Sequence, residues 1–467
     1  MLTGCVTVLE GLKPFVGGAP AAPAPAPSPT PAPSPAAWLA PLPHEGRPTE
    51  LLQWWAQFDD PQLVSMIESA QAVSPGLAAA RSRIEQARAA STAAAGGRLP
   101  QVDATGSATR GRSEAGGVVA SVAQLGLQSS WELDLFGAVR AGVQAGEARL
   151  EGAQAAWHVA RVAVAAEVAS VYLALRACEA QLQELEIDVQ SRAETARATE
   201  RSAQAGVTAP AAAAQARASA AQGRAQAVAQ RAQCDNFVKA LVALTAGDEA
   251  ALRPALAAGA ARIPQAAPIA FTSLPAQLLA QRPDLTEAAA NVTAAAADVR
   301  LAEARQRPRV ALSGSLGLMS VSAAGIQREG STFSLGPLQV SFPVFDAGVR
   351  RANEQAARAA YDESVAAYQA RLRTAVREVE EALVQLRASR DRQADALTAA
   401  EGFEASFKAA EARYKGGVAS IFELEDARRT AVAARSALVD LQRERTAAWI
   451  ALYRALGGGW KAGAAAS

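Results

Sequence analysis

The spacing of apolar positions along the chain changes period several times, and each change falls at a Gly or Pro. A helical period opens at Asp59-Asp60-Pro61, runs through Met66 and Ile67, breaks at Ser74-Pro75-Gly76, and resumes from Leu77 to about residue 95. At Gln101 the period becomes two. Val102, Ala104, Gly106 and Ala108 alternate with Asp103, Thr105, Ser107 and Thr109. After a loop between Gly111 and Gly117, Leu125, Leu127, Trp131, Leu133 and Leu135 share one face, and Gln124, Gln128, Ser130, Glu132 and Asp134 share the other. Two strands, about 101–110 and 121–135, are predicted, with one apolar and one wet face.

Helical spacing returns at Gly137 and continues without proline to about residue 205, roughly 100 Å of helix. Gly206-Val207-Thr208 breaks it, and a return helix is predicted over about 209–246, with Pro210 tolerated in its first turn. An Ala/Pro/Gly-rich connector covers 247–275. The plan then recurs. Pro283-Asp-Leu285 answers Pro75-Gly-Leu77 and Arg307-Pro308 answers Leu99-Pro100, both at an offset of 208 residues. Val344-Phe345 answers Leu135-Phe136 at 209, and Gly417-Val418 answers Gly206-Val207 at 211. Shared order and spacing of breaks indicate internal duplication. The second half is read as strands at about 309–319, with Leu312 and Leu316 on the apolar face, and 332–344, with a bulge at Gly336-Pro337. Long helices follow at about 346–415 and 420–456. The halves are thus 38–246 and 276–457, flanked by an N-terminal stretch, 1–37, and a tail, 458–467.

Composition narrows the picture. Half of the residues are apolar but only 5% are aromatic, so alanine-lined helix seams replace a large aromatic core. The net charge is +1 with both signs interspersed, which argues against a nucleic-acid footprint. No run of 18 apolar residues exists, so no membrane-spanning helix is expected. Cys5, Cys178 and Cys234 form no metal motif, and two histidines supply little for catalysis. No phosphate loop, nucleophile elbow or metal cluster is present, so neither an enzyme nor a cofactor is expected.

Leu2-Thr-Gly-Cys5 has the form of a lipobox, without the basic and long apolar regions that precede one, so a chance match stays open. The alternation of proline with Ala, Ser and Thr from Pro20 to Pro35 reads as an extended tether. Cys178 and Cys234 each lie 28 residues from Gly206, on opposite sides, and so at one height in an antiparallel hairpin. A disulfide there would imply an oxidising compartment; two buried thiols are the alternative. At the second tip, Gly416-Gly417 ends one helix, and Ser420 with Glu423 forms a capping box for the next, beside Glu425 and Asp426.

Four strands of transmembrane length leave open edges, which lipid does not tolerate, so closure requires several chains. Three chains would give twelve strands and room for a pore. A soluble antiparallel sheet with one wet face is the alternative.

The motifs Ser130-Trp-Glu-Leu-Asp-Leu-Phe-Gly137, Arg282-Pro-Asp-Leu285, Pro343-Val-Phe-Asp-Ala-Gly348, Tyr414-Lys-Gly-Gly-Val418 and Asp426-Ala-Arg-Arg429 resemble the TolC-like outer-membrane efflux protein family, in its OprM/NodT-type lipoprotein branch. The resemblance spans about 50–457. It implies a homotrimer, mainly α-helical with a membrane β-barrel portion: a 12-stranded barrel in the Gram-negative outer membrane and a 12-helix periplasmic tunnel. It implies a lipid anchor at Cys5, a periplasmic adaptor (membrane fusion) protein and an inner-membrane transporter of the resistance-nodulation-division (RND) type. It also implies a periplasmic gate, in which Asp426 matches the aperture aspartate and Arg429 and Tyr414 fall on adjacent motif positions; Glu425 is added for its carboxylate at the mouth. The chain departs from the family at Ala419, where an acidic residue is common, and at Ala211-Ala212, where a Leu-Asp pair is usual.

The expected function is a passive exit duct for small molecules and drugs in a tripartite efflux pump. The exit duct of a type I protein-secretion system shares the fold. A soluble coiled-coil scaffold is the reading from another class, but it gives the strands no reason for a continuous apolar face.

Overall fold

The computed structural model describes residues 51–112, 119–266 and 282–458. The lipobox with Cys5, the tether, the last part of the connector and residues 459–467 lie outside them. The described chain divides into two units, one of 94–145 with 291–369 and the other of 51–93, 146–266, 282–290 and 370–458.

The first unit is built on one antiparallel sheet. Strands β1 (Gln101–Arg112), β2 (Val119–Leu133), β3 (Arg309–Ala323) and β4 (Ile326–Ser341) pair in chain order. The register sets Leu125 opposite Leu318, Leu127 opposite Leu316, and Trp131 opposite Leu312, so the apolar residues of β2 and β3 share one side. Gln128 faces Ser315 and Ser130 faces Ser313 on the other. The ladder between β3 and β4 slips between Leu312 and Gly314, placing the extra residue at Gly336-Pro337, where a bulge was expected.

Several strand boundaries differ from the sequence reading by two to six residues, and two of them have a clear local cause. β4 starts at Ile326, not 332, because Ala324 and Gly325 both take positive φ (50° and 82°) and close a two-residue turn that pairs the polar stretch before Ser331. β2 stops at Leu133 because Asp134 turns back to cap the next helix: its carboxylate oxygens accept from the Val139 and Arg140 amides at 3.0 and 2.9 Å. Asp346 repeats the device, accepting from Gly348 and Arg350 at 3.0 and 3.2 Å.

Of the helices, α1 (Pro61–Val73) and α2 (Pro75–Gly96) precede the sheet, and α3 (Ala138–Gln204) and α4 (Pro210–Thr245) follow its first hairpin. Next come α5 (Glu249–Ala257) and α6 (Pro283–Ala304), then, after the second hairpin, α7 (Val349–Lys415) and α8 (Ile421–Ala455). Helix α5 lies in the stretch read as plain connector. Glu249 stands in its first turn, where the helix dipole favours an acid, and Pro254 lies inside the helix without ending it.

The core of the second unit joins Trp54, Phe58 and Met66 to Val168, Tyr172 and Leu175 of α3, Leu241 of α4, Leu383 of α7, and Trp449, Leu452 and Tyr453 of α8. Trp54 meets the Trp449 ring edge-on at 6.0 Å and Tyr453 at 5.6 Å. Full burial of each such side chain contributes about 1.5–3 kcal/mol. Helix α3 holds an 18-residue window of mean hydropathy 1.5, which by length and composition passes as a membrane span, contrary to the sequence expectation. Half of that window is buried inside the chain's own packing, as befits a core helix.

Buried Arg176 ties the pieces around this core. It donates to the Leu256 carbonyl at 2.8 Å and to the Tyr172 hydroxyl at 2.9 Å, and Tyr172 donates to Asp60 at 2.7 Å. Arg282 does the same elsewhere, joining Asp284 (2.7 Å), Glu378 (2.9 Å) and the Ala455 carbonyl (2.8 Å). A disulfide links Cys178 of α3 to Cys234 of α4, with Cα atoms 5.6 Å apart.

Candidate functional site

Two features of the sequence ask for a functional account: the helical tip around residue 417 and the apolar face of the sheet. Both tips of the second unit close alike. Gly206 and Gly417 take φ of +76° and +77°. Val207 and Val418 reach back to the carbonyls of Ser202 and Arg413, both at 3.0 Å, and the glycine amides bond Ala203 and Tyr414 at 3.0 Å. This paired 6→1 and 5→2 closure needs the left-handed residue that glycine supplies. The restarts differ. Ser420 accepts from the Glu423 amide at 3.2 Å, whereas Ala209 offers no side-chain cap. The capping box is only half made, because the Glu423 carboxylate pairs with Arg413 instead of returning to the cap.

The four residues expected at the mouth do not converge within one chain. Among the described residues, the side chains of Asp426 and Arg429 pair with one another, one turn apart, and are 67% and 77% exposed. Tyr414 shares a 2.5 Å hydrogen bond with Thr199 of α3. Glu425 points the other way, into the packing between helices, where its side chain is 16% exposed.

There Glu425 belongs to a buried polar cluster that the sequence reading missed. Its carboxylate accepts from Ser219 of α4 at 2.6 Å, from Arg192 of α3 at 3.4 Å, and from Arg428 one turn along α8. Arg192 also donates to Asp188 at 2.6 Å and to Ser219 at 2.7 Å. Arg428 donates to Thr195 at 2.8 Å and Ser191 at 3.1 Å, and lies 3.8 Å from Asp188. Its guanidinium is 5.4 Å from the Phe407 ring of α7. Two cations and two anions thus balance inside a seam with an apolar floor of Ala196, Ala216, Ala220, Ile421 and Leu424. Burial pulls the Arg428 guanidinium below its ordinary value, and the Glu425 and Asp188 carboxylates act against that shift. The spacings Asp188/Arg192 and Glu425/Arg428 were visible in the sequence, but such pairs read as solvated helix faces.

On the sheet, Leu125, Leu127 and Leu316 of the expected lipid face are exposed, as are Leu318, Phe333 and Leu335. Trp131, Leu133 and Leu312 are only half exposed, because they stand near the strand ends that adjoin helices. Trp131 donates its ring N–H to the Arg98 carbonyl at 3.1 Å.

An antiparallel meander with one continuous apolar face and one wet face, leading in sequence into long paired helices, defines a segment of a membrane barrel wall. The chain belongs to the outer membrane efflux protein family, whose model matches residues 66–247 and 274–458, one match per duplicated half. It is 30% identical over 427 residues to the outer membrane protein OprJ of Pseudomonas aeruginosa, covering 90% of this chain and 88% of that one. It is also 30% identical over 418 residues to the solvent efflux pump outer membrane protein SrpC of Pseudomonas putida, covering 86% of each. Among solved structures, the outer-membrane channel OprN matches with a TM-score of 0.81 at 28% identity, over 91% of this chain and 98% of that one.

Proposed function

We propose that three copies of this chain close their sheets into one 12-stranded barrel in the outer membrane, continued by a 12-helix periplasmic tunnel. The duct exports small molecules and does no chemistry of its own. The observation that carries this reading is the sheet: its apolar residues line one side from Val310 to Leu318, while β1 and β4 each pair with only one strand. Open edges in lipid require a neighbouring edge, and the nearest source is another copy. The duplicated helix pairs supply a tunnel wall by the same threefold repetition.

A passive duct needs an energised partner. The reading therefore includes a periplasmic adaptor and an inner-membrane transporter of the RND type, with an anchor by acylation of Cys5. The name of SrpC, a solvent efflux pump component, favours small solutes over secreted proteins. At the tunnel mouth, Asp426 and Arg429 are the gate residues. Their exposure within one chain suits contact with a second copy, while Glu425 and Arg428 fix the rotation of α8 that turns them outward.

The test is the mass of the full-length protein solubilised from membranes in mild detergent, followed by reconstitution in planar bilayers. A particle of three 48.0 kDa chains that conducts ions is expected. A non-conducting monomer, or a protein absent from the membrane fraction, overturns the reading.

A further inference from the structure

The register divides the side chains of the sheet between its two sides, and the polar side carries few charges. Among the described residues of the four strands it holds Asp103, Glu132, Arg309 and Arg328. Glu132 and Arg309 cancel, since their charged groups pair at 2.5 Å. The side chains of Asp103 and Arg328 are both exposed, and neither has an ion-pair or hydrogen-bond partner among the described residues.

These two charges stand at different heights. Asp103 shares a row with Gln128, Ser315 and Ser334, towards the end where β1 and β3 arrive from α2 and α6. Arg328 shares a row with Val321, Val122 and Thr109, near the turn at Ala324-Gly325. Thr109 lies six positions beyond Asp103 on β1, which is about 20 Å along the strand. The two rows between, one through Gly126 and Gly317 and one through Gln124 and Met319, hold no charge.

We propose that Asp103 and Arg328 charge the two ends of the barrel lumen oppositely, and so set the direction in which it conducts best and the order in which a charged solute meets attraction and repulsion. This rests on the barrel reading above, which turns the polar side inward and the helix end to the periplasm. Three copies then place a ring of carboxylates at the tunnel end and a ring of guanidinium groups at the outer end. A barrel of twelve strands about 4.8 Å apart and tilted by about 40° has a backbone radius of about 12 Å. Inward side chains bring both charges to within about 10 Å of the axis, close to the screening length of about 8 Å at physiological ionic strength. An ion on any path through the lumen therefore feels both rings. Cations gather at Asp103 and anions at Arg328. A voltage positive on the tunnel side drives both into the neutral rows between and raises the conductance; the opposite voltage empties those rows. An anionic solute leaving the tunnel is held back at Asp103 and drawn on by Arg328, and a cationic one meets the reverse order.

The experiment is single-channel recording of the full-length protein, added from one side of a planar bilayer, in 0.1 M and 1 M KCl, with the trimer mass measured in mild detergent for every variant. At 0.1 M the wild type is expected to carry about 1.5-fold more current when the tunnel side is positive. D103N and R328Q should each lower that ratio, and D103R/R328D, which exchanges the two charges, should carry it below that of D103N/R328Q. Asp426 is the same in every variant, so the differences report the barrel alone. In 1 M KCl the screening length falls to about 3 Å and the ratios should converge. A D103N/R328Q or D103R/R328D variant that keeps the wild-type ratio, or differences that survive undiminished in 1 M salt, overturns the proposal. So does a trimer that R328Q loses and D103N/R328Q recovers, which pairs Arg328 with Asp103 of an adjoining copy. A wild type that neither forms a trimer nor conducts overturns the barrel reading and this proposal with it, whereas a conducting trimer whose ratio ignores both residues overturns this proposal alone.

Discussion

Glu425 and Arg192 belong to different helix hairpins, yet their charged groups lie 3.4 Å apart, bridged by Ser219, which donates to Glu425 at 2.6 Å and accepts from Arg192 at 2.7 Å. Arg428, 1% exposed, joins the same carboxylate within α8, and its hydrogen bonds to Thr195 and Ser191 tie α8 to α3. Removing one member of a buried ion set strands its partner, at about 3–5 kcal/mol. Arg428→Met is therefore expected to lower the thermal midpoint sharply. Glu425→Gln combined with Arg428→Met removes one charge of each sign and leaves Arg192 with Asp188, so its loss is expected to be smaller than the sum of the single losses. A double-mutant cycle by circular dichroism melting checks this; strict additivity means the groups are not coupled.

Asp426 calls for a different measurement, since an exposed pair within one chain contributes little to stability. In the duct proposed above, three copies of this carboxylate would stand near the mouth and would favour cations there. Asp426→Ala is expected to lower the cation-over-anion permeability ratio in planar bilayers while the melting midpoint stays within experimental scatter. Unchanged conductance together with unchanged selectivity removes Asp426 from the gate.

Much of this architecture is legible in the sequence. Period changes and Gly/Pro breaks are local signals, so the strands, the four long helices and the duplication could be read directly, and even the bulge at Gly336-Pro337 showed as a phase shift. What stayed hidden depends on partners remote in sequence or on backbone turns. Arg428 is ordinary until Thr195, Ser191 and Asp188 of α3 surround it. Asp134 and Glu132 alternate as strand residues do, and only the structure separates the helix cap from the strand. The early start of β4 needed the left-handed pair Ala324-Gly325, and alanine there gives no warning.

The disulfide closes a loop with a sequence separation of 56 residues between Cys178 and Cys234. Restricting an unfolded loop of that length is worth about 4 kcal/mol in the chain-entropy model. The C178A/C234A variant is expected to melt at a lower temperature, and reductant is expected to lower the wild-type midpoint but not that of the variant. Mass mapping under non-reducing conditions should recover the two cysteine peptides joined. Alkylation of both thiols without reductant contradicts the pairing.

His158 provides a pH signature. Burial, reinforced by nearby Arg161, lowers its pKa from 6.5 to about 4. The folded state thus binds this proton less readily than the unfolded chain does. Its contribution to stability is complete above pH 6.5 and is lost as the pH falls towards 4. The full loss is at most about 3 kcal/mol. Melting midpoints measured across that window should decline less steeply for His158→Gln than for the wild type; parallel curves indicate that His158 titrates normally.

Gly223 tests whether the cluster at Arg192 depends on close helix approach. A Cβ at Gly223 of α4 would lie 2.9 Å from Cδ of Arg192 and 3.6 Å from Val189. By helix propensity alone Gly→Ala should stabilise α4 by about 1 kcal/mol. The contact opposes this: the methyl group meets the middle of the Arg192 side chain, whose far end is already held by Asp188, Ser219 and Glu425. Moving it a few tenths of an ångström lengthens three polar contacts in a buried seam, where each charged hydrogen bond contributes about 1.5–3 kcal/mol. The contact is expected to win, so Gly223→Ala melts below the wild type. In an Arg192→Ala background the obstruction is gone, and the same substitution should raise the midpoint. A rise in both backgrounds means that Arg192 rearranges freely and that the approach of α4 to α3 does not set the geometry of the cluster.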